Sequence, residues 1–310
     1  MIQATRPGKY ALTLSSPVMT ASGTMGFANA YSNFINIEKI GAYVTNPMTL
    51  EPWSPATGTR VVPMDAGILM HTGLPNAGVS KTIKEFKPVW RDMGIPIIAH
   101  LVATTPEHIQ RAVERIDHEE TLMAIELGLN DDITWQEAEQ LVKAAVDVAE
   151  KPVLVRLPVY DAYEIASAVA DTGAASLVVA APPRGTARDP RSGNLVSGRV
   201  YGPIVKSLVL RLVEVLAQRL PDIPIIGAGG IHSTQDARDY LEAGAVAIQV
   251  DSVTWIKPKM LERIARDLGG SLVTRKADAY PDEWHPDMGD TEFRQLFGDD
   301  DPNEQDTIRK

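Results

Sequence analysis

The chain contains no cysteine. That absence excludes disulfides, iron–sulfur clusters, thiolate zinc sites and any cysteine acting as nucleophile or base. Long hydrophobic runs are missing too. No uninterrupted apolar stretch approaches the ~20 residues that cross a bilayer, and the opening MIQATRPGKYALTLSS has no apolar segment behind its charges. A soluble, cytoplasmic protein with no membrane association is the expectation. Positive charge is also short: the formal net charge is −10, with Lys and Arg scattered rather than gathered into a stripe, so nucleic acid is not an expected partner. The six histidines, His71, His100, His108, His118, His232 and His285, lack ligand spacing, and no metal site is expected.

What is present is a chain of 310 residues, 44% apolar, long enough to bury one large core. Eight short apolar runs recur: Pro17–Ser22, Ala42–Asn46, Ile97–Val102, Leu122–Leu127, Pro152–Leu157, Ser176–Ala181, Ile223–Ala228 and Ala245–Val250. Helical spacing follows each, near 30–40, 78–93, 105–117, 134–150, 161–172, 202–219, 234–243 and 256–267. Eight nearly all-apolar strands alternating with helices predict an α/β fold, a (β/α)8 barrel over residues 1–268. An open doubly wound sheet is the rival; it usually has fewer strands and a Gly-rich turn after the first, whereas the glycine pairs here fall late. Residues 47–77 form a long insertion expected to line the active site. Residues 269–310 read as an acidic, flexible tail, with Trp284, Phe293 and Phe297 as the argument for a docking arm.

In such barrels the chemistry lies at the C-terminal ends of the strands. Gly227-Ala228-Gly229-Gly230-Ile231 follows the seventh run, and Gln249-Val250-Asp251-Ser252 the eighth. Glycines let backbone N–H groups approach an anion and helix N-termini favour negative charge, so Gly229, Gly230 and Ser252 are candidates for a phosphate site. The same glycines also suit plain strand-to-helix turns.

Several segments resemble the first class of dihydroorotate dehydrogenases: Ser16-Pro17-Val18-Met19-Thr20-Ala21-Ser22-Gly23-Thr24, Gly41-Ala42-Tyr43-Val44-Thr45 with Thr49-Leu50-Glu51-Pro52, Gly73-Leu74-Pro75-Asn76-Ala77-Gly78, Glu126-Leu127, and the Gly227–Ile231 segment. The likeness runs from about Ala11 to Val253 and implies an FMN-bound barrel that pairs as a homodimer. It implies that Ala21, Ser22 and Gly23 line the flavin, that Ser197 and Gly198 lie near its ribityl chain, and that Gly229, Gly230 and Ser252 hold its phosphate. Arg156 stands where the family has a lysine facing the flavin N1–O2 edge; a cation there stabilises reduced flavin.

Departures concentrate on the substrate side. Where the family holds its pyrimidine with asparagines, this chain has Met70, Gly128, Ile133 and Ala181. At roughly 1–3 kcal/mol for each unmet polar group, orotate is not the expected ligand. Asn46 replaces a lysine, and Asp131, in Leu129-Asn130-Asp131-Asp132, falls nearest the family's catalytic base; the same residues suit a solvated turn and helix cap. Asp251 replaces a glycine, and its carboxylate would oppose a phosphate dianion. Asp131, Arg156 and Asn46 are thus the catalytic candidates, and Met70, His71, Asn76 and Arg184 the substrate-side ones. Arg184, Arg188 and Arg191 on one loop suit an anionic substrate or plain solvation. The reading is a flavin oxidoreductase acting on a small molecule other than orotate. Its alternatives are a redox-inactive ligand-binding or assembly barrel, and a dihydroorotate dehydrogenase with an altered pocket.

Overall fold

The computed structural model describes residues 1–28, 30, 31 and 33–269; the acidic segment beyond, with Trp284, Phe293 and Phe297, lies outside the described residues. Eight parallel strands form the central sheet: β1 Val18–Thr20, β2 Tyr43–Val44, β3 Ile97–Val102, β4 Leu122–Gly128, β5 Val153–Arg156, β6 Ser176–Val179, β7 Ile225–Ala228 and β8 Ala247–Val250. Each pairs with its sequence neighbour from β2 to β8, β8 pairs with β1, and a parallel bridge between Met19 and Ala42 joins β1 to β2. The result is the expected (β/α)8 barrel.

Side-chain alternation explains the interior. Met19, Val44, Ile98, Ala124, Leu154, Val178, Ile226 and Ala247 point inward and are fully or almost fully buried. The N-terminal hairpin, Ile2–Gln3 against Thr13–Leu14, adds Ala4, Leu12 and Leu14 to that same cluster, so it plugs the barrel at the N-terminal end of the strands. Two residues further along β3, β4, β5 and β8 the inward positions are His100, Glu126, Arg156 and Gln249. The apolar filling therefore gives way to a polar layer at the end where barrels place chemistry.

The outer helices are α1 Val79–Asp92, α2 Pro106–Asp117, α3 Trp135–Val146, α4 Ala162–Asp171, α5 Lys206–Arg219, α6 Thr234–Glu242, α7 Val253–Ile256 and α8 Met260–Asp267. Local chemistry sets their starts. Thr105 accepts the His108 N–H ahead of Pro106, Thr134 and Glu137 form a capping box, and Ser233 accepts the Asp236 N–H. Two expectations fail locally. Residues 30–40 yield only a single 3-10 turn, Ile37–Lys39, because the segment's asparagines and β-branched isoleucines disfavour a helix and Asn36 caps a turn instead. The helix expected over 256–267 is split into α7 and α8 at Lys257-Pro258, where proline cannot continue a helix.

The 47–77 insertion is not structureless. Its strands Val61–Met64 and Gly67–Met70 form a hairpin, and the latter pairs with Leu195–Tyr201, itself paired with Arg184–Arg188. Two excursions from opposite sides of the barrel thus make one four-stranded antiparallel sheet over the mouth. No helix among the described residues is long and apolar enough to cross a membrane.

Gly41, entering β2, is required by close approach. A Cβ there would sit 2.0 Å from the Ser16 carbonyl oxygen, a backbone atom held in place while the Gly41 N–H donates to Val18 at 2.7 Å. Gly41→Ala should lose roughly 1–3 kcal/mol of stability. Urea unfolding measures this, and a loss within error of zero would show that the β1–β2 seam is looser than described.

Candidate active site

The polar layer is a single network. Arg156 Nη1 donates to Glu126 Oε1 at 3.0 Å and to Gln249 Oε1 at 2.6 Å, and Nη2 donates to the Ala180 carbonyl at 3.3 Å. His100 Nδ1 lies 2.8 Å from Glu126 Oε1, and Gln249 Nε2 donates to Glu126 Oε2. Burial alone would raise the Glu126 carboxyl, but Arg156, then His100 and Gln249, outweigh it and bring it down to about 2. Glu126 is therefore ionised, and its charge offsets that of Arg156. This network also explains Gly128: a Cβ there would stand 2.7 Å from His100 Nε2, so the imidazole takes the space that a side chain at 128 would need.

Above this floor lies a cavity of about 810 Å³. Ser22, Gly23 and Asn46 line it on the side of β1 and β2, Met70 and His71 come from the insertion, and Gly128, Asp131 and Ile133 follow β4. Arg156, Ala181, Arg184, Gly198, Arg199 and Tyr201 complete it. Asp131 is nearly buried, and Arg199 Nη1 donates to its Oδ1 at 2.6 Å, while Arg184 Nε stands 3.9 Å from Oδ2. Two guanidinium groups from the lid sheet thus converge on one carboxylate from the barrel. Asp132 and Glu137 line the same cavity, so its wall carries acidic side chains beside the two arginines.

At the ends of β7 and β8 the chain supplies its own carboxyl group. Asp251 is buried, and its Oδ1 accepts the Ser252 N–H at 2.5 Å and the Ser252 hydroxyl at 3.1 Å; the Gly230 N–H also acts on this carboxylate. Burial raises the Asp251 carboxyl above its ordinary value, against those donors and His232. His232 Nε2 is 2.9 Å from Ser252 Oγ. None of Gly229, Gly230, Asp251 or Ser252 lines the mouth cavity. A phosphate group would need the Ser252 amide and hydroxyl that Asp251 already holds, so this end does not fit the phosphate of FMN.

The remaining candidates fall in several places. Ala21 is buried, its N–H donating to the Val250 carbonyl at 3.0 Å. Ser22 Oγ is buried without a partner. Asn46 faces the mouth while its Oδ1 accepts the Gly26 N–H at 3.2 Å. Asn76 is outside the cavity and fixes the insertion, its Oδ1 accepting from Thr49 and Gly78. Ser197 bonds Thr186 within the lid, 2.8 Å between hydroxyls. The segment that does pack on Gly230 is Gly202–Lys206: a Cβ on Gly230, whose φ is +67°, would meet Lys206 N at 2.8 Å and Gly202 O at 3.0 Å.

Reading strand ends alone missed the roles of His100, Glu126 and Gln249, and it passed over Arg199 and Tyr201. The first three carry a legible signal, since a His, a Glu and a Gln inside otherwise apolar parallel strands must be satisfied by one another. Arg199 carries none, because its meeting with Asp131 depends on how the lid folds back.

The family model described as dihydroorotate dehydrogenase matches residues 9–272. Among curated proteins, the chain is 34% identical over 274 residues to the dihydroorotate dehydrogenase B (NAD(+)) catalytic subunit of Geobacter sulfurreducens, covering 83% of this chain and 89% of that protein. It is 34% identical to the same-named protein of Geobacter metallireducens over 84% and 91% of the two chains, and 30% identical to that of Citrifermentans bemidjiense over 86% and 93%.

The depressed Glu126 carboxyl has a pH signature. Its folded value, about 2, lies below the ordinary 4.5, so its contribution to stability is fully present above about 4.5 and is lost as pH falls toward 2. Glu126→Gln leaves the Arg156 charge buried and unpaired, and should cost about 3–5 kcal/mol at neutral pH. Its stability should also vary less between pH 5 and pH 3 than that of the wild type, by an amount urea titrations at each pH would read. Parallel curves for the two proteins would refute the assignment.

Proposed function

Because the chain belongs to the dihydroorotate dehydrogenase family, and this membership supports flavin-type oxidoreduction of a small molecule, we propose that the mouth cavity is a substrate site for a small organic anion other than orotate. The observation that carries this reading is the convergence of Arg199 and Arg184 on Asp131 at the cavity wall. An incoming carboxylate can take over guanidinium donors from Asp131 or share them, as bidentate arginine pairing allows. The floor favours the same orientation: Arg156 is fixed by Glu126, Gln249 and Ala180, and so presents its remaining edge without reorganising. Met70, Gly128, Ile133 and Ala181 offer no side-chain amide to a pyrimidine ring, and the amides that line the cavity are those of Asn46, Asn130 and Gln140. Asp131, with Arg199 on one oxygen, orients the lid, and is the group placed to exchange a proton with a bound ligand once the arginines turn to it. A homodimer working in the cytoplasm completes the proposal.

A second reading is favoured by Asp251 at the phosphate end: the same anion site in a barrel without redox chemistry, used for ligand binding or assembly. Dihydroorotate oxidation itself is supported by the names of the relatives.

A thermal-shift panel of small mono- and dicarboxylates, with dihydroorotate and orotate included, tests the site. A ligand at 100 times its Kd should add roughly 2.7 kcal/mol of stability, and the Arg184→Ala/Arg199→Ala protein should lose the response. Stabilisation by dihydroorotate, with its turnover in the presence of an electron acceptor, would replace the main reading with the relatives' activity. An unchanged response in the double variant would remove the arginines from the site.

A further inference from the structure

We propose that the Asp251 side chain is a resident occupant: its carboxyl group fills the amide nest at the ends of β7 and β8, so nothing bound in this barrel is held there by a phosphate group. The nest is otherwise well formed. Gly230 has a positive φ and lies against the start of α5, and the Ser252 N–H and hydroxyl face the same point as the Gly230 N–H. Such convergent donors bind an anion wherever they are left free. Here they are not free. A single carboxylate, part of the chain and 3% exposed, meets them at hydrogen-bonding distance.

Lys206, at the start of α5 against Gly230, is already engaged: its Nζ sits 2.5 Å from both Asp236 Oδ1 and Asp239 Oδ2. His232, half-buried, uses Nε2 on Ser252. An aromatic pair stands beside it: Tyr201 lines the mouth, its ring packs edge-on to Trp255 with centroids 5.1 Å apart, and Trp255 Nε1 is anchored on the Thr24 carbonyl at 2.9 Å. The mouth cavity itself is lined by none of Gly229, Gly230, Asp251 and Ser252. The ligand class that follows is phosphate-free.

The resident carboxyl group does not depend on which molecule the mouth takes, and its test uses no mouth carboxylate, so either idea can fail alone. Purified wild-type protein is compared for binding of FMN and riboflavin by fluorescence quenching, and for stabilisation by inorganic phosphate. Wild type should carry no tightly bound FMN, bind FMN no more tightly than riboflavin, and be unmoved by phosphate. Asp251→Ala and Asp251→Gly empty the nest; each should favour FMN over riboflavin by at least about tenfold, the scale of one charged hydrogen bond, and be stabilised by phosphate. FMN released on denaturing the wild type, a wild-type preference for FMN, or folded variants with no gain for phosphate would each overturn the proposal. Should neither variant fold, the wild-type comparison still decides it.

Discussion

Everything at the working end of this barrel is arranged around one buried ion pair. Glu126 and Arg156 face each other inside the sheet, where each alone would carry a heavy desolvation cost. Together with His100 and Gln249 they satisfy one another's donors and acceptors, which lets a polar layer sit directly on the apolar filling of Ile98, Ala124, Leu154 and Ala247. That layer fixes the floor of the mouth. It also constrains the neighbouring strand end, since the His100 ring leaves no room for a side chain at 128. A change to the pair would reach the cavity through its floor before it touched any ligand contact.

Most of the architecture was legible from local pattern. All eight strands fall within or against the apolar runs, and six of the eight expected helices match because caps such as Thr105, Thr134 and Ser233 mark their starts. The failures are local conflicts: Asn36 making a cap inside a presumed helix, and Pro258 cutting another. The lid was half visible. Residues 47–77 announced an insertion, but the strand pairing of Met70 with Arg199 joins segments over 100 residues apart, and no local pattern encodes a register set by tertiary packing. The site divides in the same way. Arg156 and Asp131 could be picked out as charges at strand ends, whereas their partners are a matter of which chain segment folds over which.

Family membership and local chemistry give different kinds of information here. The barrel and its order of strands are properties of a scaffold, and a scaffold does not determine what its rim binds. At the rim of this chain stand small or apolar residues, Met70, Gly128, Ile133 and Ala181, a carboxyl group at Asp251, and a guanidinium at Arg156. The last two are met from within the protein: Ser252 donates to Asp251, and Glu126 and Gln249 accept from Arg156.

The plug at the opposite end carries a consequence for how the chain assembles. Leu12 and Leu14 fill the barrel interior, and Arg6 reaches the Ala170 and Ala174 carbonyls at 2.8 and 3.2 Å and the Asp222 carbonyl at 3.2 Å, partners lying 164 to 216 residues away in sequence. The hairpin precedes every strand it seals, yet its docking surface exists only once the sixth and seventh strands are in place. Its docking is therefore a late event with high contact order, and until it occurs the barrel stands open at its base with apolar surface exposed to chaperones or to other chains.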